Sequence, residues 1–364
     1  MSGEGRKGWL DAMRGVAIIM VVFGHVLFFG FGITRYQSFL GSSMGYFRMP
    51  LFFFISGFVA YKVKSAWTPG YVGPILLRKF RAQLLASVFF LFLYSYACGK
   101  GKLTFLDPQL RGYWFGVVLF RIYVMYAMLS LLLHYIWRKR DEKGRVEILT
   151  AVFLIVVGSV LAVVLNRYRD TGGWINILDY RTLLHLPYFG LGLLMRRFEN
   201  KCDMLFRPQG VLYTGIIFAL LALVIWELRG GILPDDGIVC RITGEFMGII
   251  GIYVMFGFFY QKRRYFVSGG RVSAGLRYIG RRTLDIYFLH YFFIPSMLFM
   301  RGIMMGGGLN LPGMSILTQL TIGGLLTSGV VGCSLGVSYL LRLSPVLRVW
   351  MFGEARNKIR QAAD

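Results

Sequence analysis

Charge is scarce in this 364-residue chain. Asp, Glu, Lys and Arg make up 16% of it, against ~25% in soluble globular proteins. Acidic residues are scarcer still, 17 against 41 Lys and Arg, for a net charge of +24. That excess does not point to nucleic acid, because the basic residues sit in short loops between apolar runs and form no basic face with interleaved aromatics. Cysteine is limited to Cys98, Cys202, Cys240 and Cys333, none in a CxxC pair. With only four histidines and no His-x-x-x-His, the chain carries neither a redox motif nor a metal site. Cys98 and Cys240 both fall near predicted outer ends of spans, which leaves a disulfide open. The glycines around Gly269–Gly270 and Gly306–Gly308 lack a strand–turn–helix setting and do not form nucleotide loops. No internal repeat and no matched pair of Gly/Pro-broken helices occurs, which argues against a transporter.

Apolar sequence is abundant: 56% of residues are hydrophobic and 16% aromatic. About 20 apolar residues cross a hydrocarbon core. Ten runs approach that length: 12–33, 45–63, 82–98, 112–137, 147–165, 181–197, 210–228, 241–260, 282–301 and 316–341. Arg48 and His185 interrupt the second and the sixth. The first run has no small-residue cleavage site after Phe31 and reads as a span, not a signal peptide. Lys and Arg concentrate in both tails and the even-numbered loops, which places both termini in the cytoplasm. The expected fold is all-α, a polytopic bundle of about ten transmembrane helices. Linkers are short, so residues 1–364 form one integral-membrane domain with no separate soluble part. The small-xxx-small stretches Gly244–Gly248 and Gly332–Gly336 read as close helix packing.

Several polar side chains fall inside these spans. Arg14 and His25 lie eleven residues apart in LDAMRGVAIIMVVFGH, so on a helix they share a stripe and stand ~16 Å apart along the axis. Ionisable groups are costly in lipid and usually face a cavity or a pathway. By depth, Arg14, Asp285, Arg78 and Arg81 form an inner layer, and His25, Arg48, Arg121, His185 and Glu245 an outer one. His290 lies near mid-depth. Basic groups at an inner mouth suit a phosphorylated cytosolic molecule. A deeper histidine suits proton transfer, since imidazole titrates near neutral pH. Plainer readings stand beside these. Arg78 and Arg81 could simply obey the positive-inside rule, His185 could bond a neighbouring helix, and His134 reads as an interfacial residue beside Trp137.

Five stretches resemble signatures of the acyltransferase 3 family of membrane proteins. LDAMRGVAIIMVVFGH resembles its opening Asp, Arg and His. FRMPLFFFISGF resembles its second-span pattern, RKFRAQLL its Arg-x-x-Arg, YWFGVVLF its Trp pattern in span four, and IGRRTLDIYFLHYFF its late Ile-Tyr and His signature. They run in order from Leu10 to beyond His290. The resemblance implies an inner-membrane, multi-pass enzyme that moves an acyl group, usually acetyl, from cytosolic acyl-CoA to sugars of surface or exported glycans. It makes His25 the catalytic histidine with Arg14 as its partner. Arg78 and Arg81 would bind the donor, and Trp114 would wall the active site. Arg48, Arg121, His185, Glu245 and His290 remain candidates for lining the site or meeting the acceptor. Arg48 stands where relatives often have His, and an arginine is no base near neutral pH.

The expected activity is therefore O-acyl transfer, with His25 as general base. Acyl-CoA, usually acetyl-CoA in the family it resembles, would be a co-substrate and not a bound cofactor. A glycan or lipid-linked sugar would be the acceptor, and membrane lipids the surroundings. The alternative is a transporter or flippase for a glycan or an anionic lipid that uses the same charged path.

Overall fold

The computed structural model describes residues 7–33, 37–61, 67–97, 112–137, 145–165, 180–228, 238–295 and 315–352. Every regular element among them is helical. In chain order these are α1 (Gly8–His25), α2 (Phe39–Ala60), α3 (Pro69–Lys79), α4 (Ala86–Ala97), α5 (Trp114–Trp137), α6 (Arg145–Val164) and α7 (Tyr180–Arg197). There follow α8 (Cys202–Leu205), α9 (Pro208–Leu228), α10 (Ile238–Gln261), α11 (Arg263–Ser268), α12 (Arg271–Arg281), α13 (Thr283–Phe293), α14 (Ile316–Leu341) and α15 (Pro345–Phe352). A π-helical turn follows α1 at Val26–Gly30, and another joins α3 to α4 at Phe80–Leu85.

Seven of these helices are long and apolar enough to cross a membrane: α1 with its π turn, α2, α5, α6, α9, α10 and α14. Their outer faces are apolar. On α9, Leu212, Ile216, Leu220, Leu223 and Val224 are all exposed, a surface that only lipid tolerates. The chain is a polytopic helical membrane protein. The other three expected spans are present as helices but fall short individually. The third is assembled from α3, the π turn and α4. The sixth, α7, is 18 residues long but carries Arg181, His185, Arg196 and Arg197. The ninth, α13, has 11 residues, and the expected continuation beyond residue 295 lies outside the described residues, as do Gly306–Gly308 and Cys98.

The chain divides into two compact units. One comprises residues 1–52 and 200–336, the other residues 53–199 and 337–364, so the boundary falls inside α2 and inside α14. In the first unit α1 packs along α12 and also meets α10, α11 and α13. Trp9 sets its edge against Phe256 at 5.3 Å and Tyr260 at 5.8 Å, fixing the start of α1 to α10. After the π turn, Gly32 adopts φ 69°, the left-handed conformation in which glycine ends a helix without a Cβ clash.

In the second unit α7 packs against α6 and the end of α2. Pro187 interrupts the hydrogen bonding of α7, and Gly158 of α6 makes room for its ring. A methyl group at Gly57 would strike the Phe189 backbone, and one at Gly192 the Phe54 carbonyl. Gly332 and Gly336 have nothing within 4 Å of a Cβ position, so the close packing expected there is not seen; Gly244 is likewise open, whereas Gly248 at the other end of its stretch is buried. Glycine spacing marks where a helix can be approached, but the partner's shape decides where it is.

Candidate functional site

His25 ends α1, and the helix widens into the Val26–Gly30 π turn immediately after it. Such one-turn widenings change the direction in which side chains leave a helix and are common at functional sites. The His25 ring is partly buried. Its Nδ1 lies 2.9 Å from Nε2 of His290 on α13, and the two rings stack with centroids 5.1 Å apart. His290 is fully buried, and its own Nδ1 meets the Ile286 carbonyl one turn back at 3.0 Å. Tyr291 covers both rings, 5.2 Å from His25 and 4.0 Å from His290, and Phe29 sets its edge toward His25 at 5.6 Å.

Arg48 of α2 joins this group. A methyl group at Gly24 would sit on the Arg48 guanidinium, and the charge lies within electrostatic range of the His25 imidazole. The first unit thus brings together three candidates from three helices, His25, Arg48 and His290. Glu245 faces Arg241 at 3.9 Å one turn away on α10. The sequence signals that each of these histidines needs a partner, not which partner it is. Two isolated histidines in apolar helices each need a hydrogen-bonding partner that lipid cannot supply.

Arg14 lies three turns before His25 on α1. It faces Asp11 at 3.8 Å, and the Asp11 side chain is nearly fully buried. Asp285, expected in the same layer, is also buried and faces Arg282 at 3.6 Å. Gly15 and Gly280 allow α1 and α12 into backbone contact beside these pairs.

The second unit holds its own cluster. Trp114, His185 and Phe53 gather in one cluster, the His185 ring tilted against both neighbours, 4.4 Å from Phe53 and 5.4 Å from Trp114. Arg181 lies over the Trp114 ring at 5.2 Å, and its carbonyl meets His185 Nδ1 at 2.7 Å. Arg121, two turns along α5 from Trp114, is exposed. Arg78 closes α3 and is exposed, whereas Arg81 lies inside the π turn that follows. The two arginines therefore sit in differently wound turns, Arg78 in an α-helical one and Arg81 in a π-helical one. Buried beside Arg81, Gln83 and Ser87 abut Gly116 at the start of α5.

Among the described residues no group of His, Cys, Asp and Glu could hold a metal ion. His134, near the end of α5, meets the Ser130 carbonyl at 2.9 Å and faces Glu147 at 4.0 Å.

No curated protein and no solved structure matches the chain. A family model described as an acyltransferase domain, Acyl_transf_3, matches residues 7–339, a stretch that takes in every candidate residue of both clusters, and the chain belongs to the acyltransferase 3 family.

Proposed function

We propose that this membrane acyltransferase moves an acyl group, acetyl in the first instance, from cytosolic acyl-CoA to a sugar hydroxyl of a surface or exported polysaccharide. The observation that carries the reading is the meeting of His25, His290 and Arg48 on three helices inside an apolar bundle. A base and a fixed positive charge held side by side are what acyl transfer to a hydroxyl requires.

In this reading the His25 imidazole removes the proton from the sugar hydroxyl, and the oxygen attacks the thioester carbonyl. Arg48 stabilises the negative charge that develops on the carbonyl oxygen. Collapse of the tetrahedral intermediate breaks the carbon–sulfur bond. The departing CoA thiolate takes the proton back from His25. Arg78 and Arg81 hold the donor's phosphates. Arg14 acts on the donor side and through the order of α1, since ~16 Å of helix separates it from His25. Trp114, Arg121, His185 and Glu245 line the path of donor or acceptor. The enzyme works in the plasma membrane, the inner membrane of a two-membrane cell, where cytosolic thioester and outward-facing glycan meet.

The test uses the purified full-length protein in lipid vesicles with acetyl-CoA and candidate glycans, following free CoA with a thiol reagent. Glycan-dependent CoA release is expected, and His25→Ala should lower it by about 10²- to 10⁴-fold. A transporter or flippase would consume no thioester in the same assay.

A further inference from the structure

Hydrogen-bond direction at the His25–His290 pair is fixed by a carbonyl. The Ile286 oxygen can only accept, so Nδ1 of His290, 3.0 Å away, carries a hydrogen. His290 is fully buried beside aromatic rings, with the Arg48 charge close to its partner. Among the described residues no carboxylate pairs with either histidine, and a second positive charge there is disfavoured, so His290 is neutral and its Nε2 is a lone pair. That lone pair lies 2.9 Å from Nδ1 of His25. Two lone pairs make no hydrogen bond, so Nδ1 of His25 carries a hydrogen and its Nε2 is bare.

We propose that His290 is a positioning residue that holds His25 in the tautomer with Nδ1 protonated and Nε2 free to act as the base. The proposal rests on the reading of His25 as the general base and names the atom. His25 is the one histidine of the four that depends on another side chain for this. His134, His185 and His290 each turn Nδ1 back to the carbonyl four residues earlier, on Ser130, Arg181 and Ile286. His25 instead points Nδ1 at His290 across to another helix.

The consequence for transfer is specific. When Nε2 takes the hydroxyl proton, His25 becomes an imidazolium. Its Nδ1–H bond to His290 becomes charge-assisted and shortens. The charge cannot pass beyond His290, because the far side of that ring ends on a carbonyl, so the proton on Nε2 of His25 remains available for the leaving thiolate. A neutral imidazole here performs the orienting task that a carboxylate performs in a Ser-His-Asp triad. It does so without placing a negative charge beside Arg48.

The test reads the tautomer directly. The full-length protein is labelled with ¹⁵N-histidine and studied by solid-state NMR in lipid bilayers, the four histidines being assigned by single substitutions. In the wild type, His25 is expected to show a protonated Nδ1 and a bare Nε2. In His290→Leu it is expected to shift toward the Nε2–H tautomer. Its kcat should fall by about tenfold or more, in proportion to the competent fraction, with the KM for acetyl-CoA unchanged. His290→Gln, whose amide oxygen can accept from Nδ1, should restore both tautomer and rate. A bare Nδ1 on wild-type His25, or a tautomer that stays put in His290→Leu, overturns the proposal. Should the leucine variant fail to fold, the wild-type and glutamine spectra decide. The expected tautomer in a protein that consumes no thioester supports the positioning and overturns the functional reading instead.

Discussion

Gly15 of α1 and Gly280 of α12 face each other at a helix crossing so close that a methyl group on either would strike backbone. At residue 15 it would meet the Leu276 carbonyl, and at residue 280 the Asp11 carbonyl. Neither neighbour is a flexible side chain that could swing aside. Gly280→Ala must therefore push α1 away from α12. The expected cost is about 1–3 kcal/mol, the usual range for overpacking a tight contact. The shift would also disturb the Asp11–Arg14 pair, which sits on the same turn. Thermal unfolding in detergent checks this, with Gly275→Ala as the control. Gly275 lies on the same helix with nothing within 4 Å of its Cβ position, so alanine there is expected to be neutral or stabilising by up to about 1 kcal/mol. Equal losses at both positions would mean that the crossing is not where the structure places it.

The missing Cβ of Gly24 leaves the space that the Arg48 guanidinium fills. Gly24→Ala should displace the charge from beside His25 and reproduce the loss expected of Arg48→Met. For a group that stabilises a developing oxyanion the expected loss is about 10²- to 10³-fold in kcat. Arg48→Lys keeps the charge but loses the planar fork, and is expected to fall between wild type and Arg48→Met. A Gly24→Ala enzyme with full kcat would remove Arg48 from the reacting centre.

The membrane class, the seven long helices and the polar candidates were legible in the sequence because lipid imposes a strict rule on composition. Arg14 and His25 on one stripe of α1 needed only the helical period. What the sequence could not supply was the pairing of helices distant along the chain. His25 and His290 stand 265 residues apart, and depth alone set them in different layers. The π turns were also invisible. RKFRAQ has no residue that announces a widened turn, yet the widening at Phe80–Leu85 separates the settings of Arg78 and Arg81. Glycine spacing misled for a related reason, since Gly15, Gly57, Gly192 and Gly280 have no common motif and are needed only because of what lies opposite them.

If Arg78 and Arg81 bind the donor through its phosphates, their removal should act on binding and not on chemistry. Arg78→Ala and Arg81→Ala are expected to raise the KM for acetyl-CoA with kcat nearly unchanged, the mark of lost uniform binding. Acetyl-pantetheine, which lacks the nucleotide and its phosphates, supplies the control. Its KM should be the same in wild type and variants. Added salt should weaken acetyl-CoA binding to the wild type more than to either variant, because screening only matters where a charge pair exists. If the variants raise both KM values alike, the two arginines serve topology or helix order.

The count of membrane crossings decides where the C-terminus lies. Seven crossings, the number of helices that are individually long and apolar enough, would put the termini on opposite sides. Ten crossings, with the α3–α4 assembly, α7 and α13 included, put them on the same side. The distribution of Lys and Arg favours the second arrangement. So does α7, which buries Leu183, Leu186, Tyr188, Phe189 and Leu193 despite its charged ends. A helix with a protein-covered apolar middle can cross although its sequence scores as only weakly hydrophobic, because its neighbours and not lipid surround it. A fluorescent protein that matures only in the cytoplasm, fused after Asp364, is therefore expected to light up. A periplasm-active phosphatase in the same position is expected to stay silent. The reverse pattern would return one of the three short helices to the membrane surface.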